Sequence, residues 1–180
     1  CCDSSNADSG KNNRGGNTMS YDFFRAWYRS MLFWQIYVFD WFTKNLVPWA
    51  INYRSYTFND FFSFHYSVNR GISWGLLRNC GDFGYSCVTG LIFLLLCFLA
   101  KYTTDRQRAG YTVYGETLLL AGGLGNFTDR LAHCGVVDFI KISFGGYSFP
   151  VFNCADIAIS VGACIILYQT FMGQEPEERE

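Results

Sequence analysis

The segment VTGLIFLLLCFLA, residues 88–100, contains no charged side chain and lies between two tyrosines, Tyr85 and Tyr102. Tyrosine is enriched where a membrane meets water, so the pair marks the two ends of the apolar stretch. A helix that rises about 1.5 Å per residue reaches roughly 27 Å over residues 85–102, which is just enough to cross the hydrocarbon core of a bilayer. The segment therefore predicts a transmembrane helix.

The composition of the whole chain also indicates a membrane protein. Apolar residues make up 50% of the 180 residues and aromatic residues 19%, whereas charged residues make up only 16%, a clear departure from average soluble usage. Three further apolar segments are weaker, because charged side chains interrupt each of them near one end: residues 27–47, 111–126 and 153–172. We predict an all-α membrane protein with four transmembrane helices, at residues 27–47, 85–102, 111–126 and 153–172.

The charged residues inside these segments are candidates for function. A charge at the bilayer centre costs roughly 2.5–3.5 kcal/mol on insertion scales, so such residues persist where they function or reach the interface. Asp40 and Lys44 interrupt the first segment, Glu116 the third and Asp156 the fourth. Glu116 lies near the start of its segment, so we expect its carboxylate to reach the membrane surface and to serve no site.

Loop charges predict the orientation of the chain in the membrane. The loop after the second segment carries Lys101, Arg106 and Arg108 against a single acid, Asp105, which is typical of a cytoplasmic loop. Four spans would then place both termini in the cytoplasm. The two long connections, residues 48–84 and 127–152, would lie on the outer face.

Three parts of the chain differ in composition. Residues 1–20 are rich in Ser, Asn and Gly and predict a disordered polar segment. Residues 21–173 would form the membrane domain, and residues 174–180 an acidic cytoplasmic tail. Within the domain, residues 48–84 are rich in Tyr, Phe, Thr and Val with Gly and Asn at turns, and predict a small strand-containing extracytoplasmic platform.

Some partners and cofactors are not expected from this composition. The chain has no basic run with interleaved aromatics, so we predict no nucleic-acid partner. The 8 cysteines show no CxxC spacing, and there are only 2 histidines, so we predict neither a metal site nor another cofactor. Cys87, Cys97 and Cys164 lie inside apolar runs and are predicted to be small core residues.

Two acids set among apolar neighbours are the strongest candidates for chemistry: Asp138 in VVDFI and Asp156 in FNCADIAI. The intervening residues include glycines and a proline, so the chain can turn and bring the second carboxyl group beside the first. Two carboxyl groups about 3 Å apart do not both ionise readily, and they then share one proton. Such a pair can act as general acid and general base on a peptide bond.

The segment GGLGNFTDR, residues 122–130, adds further polar candidates. Its glycines allow close helix packing, and Asn126, Asp129 and Arg130 follow at the outer interface. Adjacent residues on a helix do not face each other, so Asp129 and Arg130 should have different partners. The planar guanidinium of Arg130 is suited to hold a peptide carbonyl or a carboxylate.

Four segments together resemble the lipoprotein signal peptidases, also called signal peptidase II. GGLGNFTDRLAHCGVVDFI and FPVFNCADIAISVG match the C-terminal half of that family, and DWFTK and VNRGISWGLL match two upstream segments. The resemblance covers most of residues 27–172. The residues Ile72, Ser73 and Trp74 depart from the family pattern, which has smaller residues and a Phe there.

The resemblance implies roles for individual residues. Asp138 and Asp156 match the catalytic aspartates of the family. Positions that line the site or support substrate are matched by Asn69, Asn126, Arg130 and Asn153. Motif positions of a more structural kind are matched by Asp40, Lys44 and Asp129.

The resemblance also implies a substrate and a location. It indicates an aspartic endopeptidase of the bacterial cytoplasmic (inner) membrane, with its active site at the outer face. The expected substrates are prolipoproteins whose cysteine already carries diacylglycerol, cut just before that cysteine. Membrane lipids are expected partners, and globomycin-like cyclic peptides are expected inhibitors.

Two alternatives remain open on the sequence alone. Paired acids in a membrane also serve proton relays, so a proton-coupled transporter is one alternative, although the acids cluster at one face. A catalytically inactive homologue that binds lipoproteins is the other. Only activity separates the inactive homologue from the enzyme, because both aspartates are present.

Overall fold

A computed structural model describes residues 14–71 and 81–173 of the chain, with side chains described from residue 23 onward. The described elements are four helices, α1 (Arg14–Ala50), α2 (Gly81–Arg108), α3 (Tyr114–His133) and α4 (Cys154–Met172), and four strands, β1 (Ser55–Thr57), β2 (Phe62–Asn69), β3 (Val136–Phe144) and β4 (Tyr147–Ser148). The departures at Ile72, Ser73 and Trp74, and the acidic tail at residues 174–180, lie outside the described residues.

Helix α3 is the centre of the bundle, because it packs against α1, α2 and α4. Small residues allow the closest of these contacts, between α3 and α4. A Cβ atom added to Gly122 would lie 2.5 Å from the backbone oxygen of Ala155, and one added to Gly162 would lie 2.6 Å from that of Gly115. The glycines of α3 therefore let two helix backbones approach closely, as the sequence predicts.

The outer surface of the bundle is apolar. Leu94 and Phe98 of α2 are 64% and 68% exposed, and Phe171 of α4 is 82% exposed. By length and composition, α2 and α4 could each cross a membrane, with a mean hydropathy of 2.2 and 1.6 in their most apolar windows. Among the described helices, α1 and α3 do not meet that criterion. Exposed apolar surface of this extent is typical of a membrane protein.

A small antiparallel sheet covers one end of the bundle, with its strands in the order β1-β2-β3-β4. Residues 48–71 supply β1 and β2, so the predicted strand-containing platform is present. Its third strand, β3, comes from the second long connection, which was not predicted to form a strand. In the register of β2 and β3, Asn69 lies opposite Val136 and Ser67 lies opposite Asp138. The sheet thus carries one of the two candidate acids.

Three helices differ from their predicted boundaries. Helix α2 covers Gly81–Arg108 and not only residues 85–102, so Lys101, Arg106 and Arg108, which were predicted to lie in a loop, belong to the end of this helix. Helix α1 begins at Arg14, so it includes residues that were predicted to be disordered; once a helix has formed, each added residue gains a hydrogen bond at low cost. Helix α3 continues to His133, beyond its predicted end at Asn126. It can continue because Asp129 and Arg130 are buried against polar partners inside the fold.

Two predictions about single side chains were wrong. Glu116 does not reach the surface: it is 0% exposed, and its Oε1 lies 3.1 Å from the Nε of Arg106. The ion pair compensates for the burial of its charge. Cys87, Cys97 and Cys164 are exposed on the outside of the bundle and form no disulfide, because the apolar runs that contain them face outward and not into a core.

Candidate active site

Three elements bring the candidate acids together: the C-terminal part of α3, the beginning of β3 and the first turn of α4. Asp138 lies on β3 and is 3% exposed, whereas Asp156 lies in the first turn of α4. After the hairpin of β3 and β4 the chain returns, and Phe152 pairs with Ile140 just before α4 begins. The two acids that were predicted to pair therefore lie at the same end of the bundle.

Asn153 connects the two carboxyl groups. Its side-chain amide donates to the Oδ1 of Asp138 at 2.7 Å, and its backbone N–H donates to the Oδ2 of Asp156 at 3.1 Å. Its own Oδ1 accepts from the backbone N–H of Asp156 at 2.9 Å, which completes a capping box at the start of α4. Asn153 is 0% exposed. One buried residue thus sets both the helix end and the relative position of the acids.

Asn126 binds Asp156 from the side of α3. Its Nδ2 donates to the Oδ1 of Asp156 at 2.9 Å, while its Oδ1 accepts from the Nζ of Lys44 at 2.9 Å and from the Nδ2 of Asn153 at 3.2 Å. The side chain of Asp156 therefore accepts two hydrogen bonds at the N-terminus of a helix. Both the donors and the helix dipole stabilise a negative charge there.

Lys44 is the centre of a buried charge network below the acids. The residue is 4% exposed, and its Nζ lies 2.7 Å from the Oδ2 of Asp40 and 3.1 Å from the Oδ2 of Asp129. Asp40 also accepts from the backbone N–H of Ala155 at 2.7 Å, and Asp129 from that of Val137 at 3.1 Å. The network joins α1 to α3, β3 and α4, next to both acids.

Arg130 holds the chain's own backbone. It is 5% exposed, and its guanidinium donates to the carbonyl oxygens of Arg70 and Gly71. The ring of Tyr85 lies under it at 5.8 Å, and the hydroxyl of Tyr85 donates to the carbonyl of Arg130 at 2.7 Å. The carbonyls that Arg130 contacts in the structure are those of residues 70–71, and its predicted role in supporting substrate stays a prediction. Its partners differ from those of Asp129, as predicted.

Asn69 lies at the end of β2, opposite the start of β3. Its Oδ1 accepts from the backbone N–H of Gly71 at 2.9 Å, and its side chain also makes a hydrogen bond to Asp138. Asn69 therefore connects the segment held by Arg130 to the acid on β3.

Asp138 has a strongly altered acidity. Burial is the largest cause and the charge of Asp156 is the second, and together they raise the pKa of Asp138 from 3.8 to about 7. Hydrogen bonds from Asn153 and Asn69 and the charge of Lys44 oppose this change but do not overcome it. At neutral pH a large fraction of Asp138 therefore carries a proton.

An acid and a carboxylate that both accept hydrogen bonds from one asparagine can divide the tasks of hydrolysis. The ionised carboxylate can take a proton from a water molecule, and the protonated one can donate to an oxygen that becomes negative. Among the residues that the structure describes, there is no group of three or more His, Cys, Asp or Glu that could hold a metal ion. The chemistry available to these side chains is that of an acid–base pair.

Two features of the site were not predicted from the sequence. Tyr85 was interpreted only as an interfacial anchor, yet it stacks against both Arg130 and Arg70. Lys44 was ranked as structural, yet its hydrogen bond to Asn126 places it one step from Asp156. No signal in the sequence reveals the contact of Tyr85 with Arg130 or that of Lys44 with Asn126, because each joins residues more than 40 positions apart.

The fold and the site together define a helical membrane bundle with two aspartates at one end, Asp138 buried and Asp156 half-buried. The chain belongs to the signal peptidase II family, whose family model matches residues 32–172. Two solved structures, each described as a bacterial membrane enzyme, are similar to it. One is 25% identical over 84% of this chain and 92% of its own, with a TM-score of 0.64. The other is 26% identical over 79% and 91%, with a TM-score of 0.62.

Proposed function

We propose that this chain is an aspartic endopeptidase that removes the signal peptide from prolipoproteins modified with diacylglycerol, cutting just before the lipidated cysteine. Asp138 and Asp156 are its catalytic residues. The observation that carries the proposal is the bridge of Asn153, which donates to both carboxyl groups at 2.7 Å and 3.1 Å. Membership of a peptidase family supports the same reaction class.

The two acids have different tasks in the proposed reaction. Asp156, which accepts hydrogen bonds from the side chain of Asn126 and from the backbone N–H of Asn153, takes a proton from water as the water oxygen attacks the scissile carbonyl carbon. Asp138 donates its proton to the carbonyl oxygen, which gives a neutral tetrahedral diol. Collapse of the diol breaks the C–N bond; the proton held by Asp156 passes to the leaving amine, and one diol hydroxyl returns its proton to Asp138. One water is consumed, and an acid and an amine are released.

The location of the site fits a lipid-anchored substrate. The acids lie at one end of an apolar bundle beneath the small sheet, where a peptide attached to a membrane lipid could approach from the side. In this proposal all four helices span the bacterial inner membrane, both termini are cytoplasmic and the sheet is on the outer face. The sheet then covers the cleavage site and limits the access of water.

Cleavage of a lipidated precursor tests this function. Asp138→Asn and Asp156→Asn should each abolish release of the signal peptide in a gel-shift assay while the protein still inserts in membranes. Asp105→Asn is the matched control, because Asp105 is 53% exposed and pairs with Lys101 at the opposite end of α2. Unlipidated precursor should remain uncut, and globomycin should inhibit cleavage of the lipidated one.

Two results would contradict the proposal. Normal processing by either asparagine variant would remove the aspartate mechanism. Proton transport into vesicles by a chain that cuts no lipidated precursor would favour the transporter, whereas binding of the precursor without cleavage or transport would favour an inactive homologue.

A further inference from the structure

A cavity of about 250 Å³ lies at the end of the bundle opposite the acids. Helices α1 and α2 both pack on α3, but within the described residues they form no packed pair with each other. The cavity fills the gap, with side chains from all three helices in its wall. On α3, Thr117 of the cavity and Asn126 of the acid site are separated by roughly 14 Å along the helix. The cavity is therefore a separate site.

The wall combines one cation with several hydroxyl oxygens. Arg29 of α1 lines the cavity and is half-buried. Within the described part of the chain, no hydrogen-bond or ion-pair partner of its guanidinium is found. A guanidinium presents five N–H donors and is suited to bidentate binding of phosphate or carboxylate. An unpaired cation in a cavity indicates an anionic ligand.

The threonines supply hydrogen-bond acceptors. Thr103 and Thr117 are each 1% exposed, and each donates its hydroxyl hydrogen to a carbonyl of its own helix at 2.7 Å. The lone pairs of these oxygens remain for a ligand that carries hydrogen-bond donors. A bare phosphate dianion has no donor to offer, whereas a phosphodiester with hydroxyl groups offers both an anion and donors.

The position of the cavity favours a lipid. Phe33 and Leu120 provide apolar wall, and a smaller cavity of about 60 Å³ at the same end is lined by Tyr28, Tyr111 and Tyr114. Tyrosines at that level mark the boundary between the hydrocarbon and the headgroups. The volume of about 250 Å³ is below the range of roughly 300–1,000 Å³ that is common for whole drug-sized ligands, so it suits a headgroup whose chains remain outside.

We propose that this cavity binds the headgroup of an anionic phospholipid of the phosphatidylglycerol type, with its phosphate on Arg29 and its hydroxyl groups donating to Thr103 and Thr117. The lipid enters sideways between α1 and α2, so its acyl chains lie along the apolar outer face of the bundle. The bound lipid occupies the space between two helices that scarcely contact each other, and it therefore stabilises their arrangement on α3.

Thermal unfolding of the full chain in detergent, after removal of lipid, tests this proposal. Phosphatidylglycerol should raise the unfolding temperature in a saturable manner, whereas phosphatidylcholine, whose headgroup lacks hydroxyl groups, and inorganic phosphate should have much smaller effects. Arg29→Gln should weaken the apparent affinity for phosphatidylglycerol on the order of tenfold, because it removes a charged hydrogen-bond donor. Thr103→Val keeps the shape of the side chain and should also weaken the apparent affinity for phosphatidylglycerol. This variant tests the proposal if Arg29→Gln does not fold.

Lys101→Gln is the matched control. Lys101 lies at the same end of α2 but is 78% exposed and outside the cavity, so its variant should bind phosphatidylglycerol like the original protein. An equal loss in Lys101→Gln and Arg29→Gln would show attraction to surface charge and overturn the proposal. Stabilisation by inorganic phosphate equal to that by the lipid would identify a free anion as the ligand, and would also overturn it.

Discussion

The side-chain amide nitrogen of Asn153 lies 2.7 Å from the Oδ1 of Asp138, and both residues are buried. The amide group can only donate through this nitrogen, so the contact orients the Oδ1 of Asp138 as an acceptor. The backbone and the Oδ1 of the same asparagine are committed to Asp156. The separation of the two acids therefore depends on a single side chain that also caps a helix.

Substitution of Asn153 should separate capping from catalysis. Asn153→Ser keeps a good capping oxygen but removes the amide that reaches Asp138, so we expect near-normal stability and a loss of cleavage on the order of a hundredfold. Asn153→Ala removes both, and should also lower the free energy of unfolding by about 0.5–2 kcal/mol. The measurements are kcat/KM on a lipidated precursor and thermal unfolding in detergent.

The combined results for Asn153→Ser and Asn153→Ala decide the role of Asn153. If the serine variant cleaves at the normal rate, the amide contact to Asp138 has no part in the reaction. If both variants lose activity only in proportion to lost stability, Asn153 is a cap alone.

The acidity of Asp138 predicts a fall in activity at alkaline pH. Its pKa is raised to about 7, and in the proposed mechanism it donates its proton to the scissile carbonyl. As the pH rises above about 7, kcat/KM should decrease by about tenfold per pH unit. A pH–rate profile of kcat/KM measures this decrease at alkaline pH. A profile that stays flat from pH 7 to pH 9 would contradict the assignment of Asp138 as the acid.

The stability of the fold should also depend on the protonation of Asp138. The pKa of Asp138 is higher in the folded chain than the value of about 3.9 in an unfolded one, so the folded state binds the proton more tightly. Its contribution is fully present below about pH 4 and is lost as the pH rises through about 7. The unfolding temperature of the original protein, compared with that of Asp138→Asn, should therefore fall across this window. An unchanged difference between the two proteins would show that Asp138 has no raised pKa.

Loss of the buried ammonium group should destabilise the fold strongly. Lys44 compensates Asp40 and Asp129 at 2.7 Å and 3.1 Å, so Lys44→Met would leave two carboxylates buried without a cation. Breaking a buried ion pair by removal of one partner costs about 3–5 kcal/mol. Chemical or thermal unfolding in detergent measures the change.

A second substitution should recover part of that loss. In Lys44→Met combined with Asp129→Asn, one uncompensated charge is removed, so the double variant should be more stable than Lys44→Met alone. Lys101→Met is the matched control, since that exposed lysine pairs with an exposed acid and surface pairs contribute little. Strictly additive losses in the double variant would show that Lys44 and Asp129 do not interact.

Strong local signals made part of this fold predictable. Helix α2 was predicted because its apolar run has no interruption, and α4 because Asp156 lies only at its start. The prediction that Asp138 and Asp156 act as a pair came from their apolar surroundings and from the turn residues between them, and the structure places both acids at the same end of the bundle. These signals depend on neighbours in the sequence, which is why they could be interpreted without a structure.

Contacts between distant parts of the chain could not be predicted. Strand β3 exists because residues 136–144 pair with β2, about 70 positions earlier, and strand formation depends strongly on such partners. Glu116 was expected at the surface because its position near a helix start was visible, whereas the approach of Arg106 was not. The hydrogen bond from Arg130 to the carbonyl oxygen of Gly71 likewise joins residues 59 positions apart.

Close packing of α3 on α4 should be required for activity, since the hydrogen bond from Asn126 to Asp156 crosses the same interface. A Cβ atom at Gly122, one turn before Asn126, would lie 2.5 Å from the backbone oxygen of Ala155 and 2.9 Å from Ile159. A backbone oxygen cannot rotate away as a side chain can, so the helices must move apart. Gly122→Ala should therefore lower the free energy of unfolding by about 1–3 kcal/mol.

Gly90→Ala on α2 should change the free energy of unfolding in the opposite direction. A Cβ atom at Gly90 would meet no atom within 4 Å, so this variant should gain up to about 1 kcal/mol from the better helix propensity of alanine and should cleave at the normal rate. Gly122→Ala should cleave at least about tenfold more slowly, because a shift near 1 Å between α3 and α4 moves Asn126 away from the carboxylate of Asp156. Equal stability and equal activity of the two variants would mean that the small residues of α3 do not position the acids.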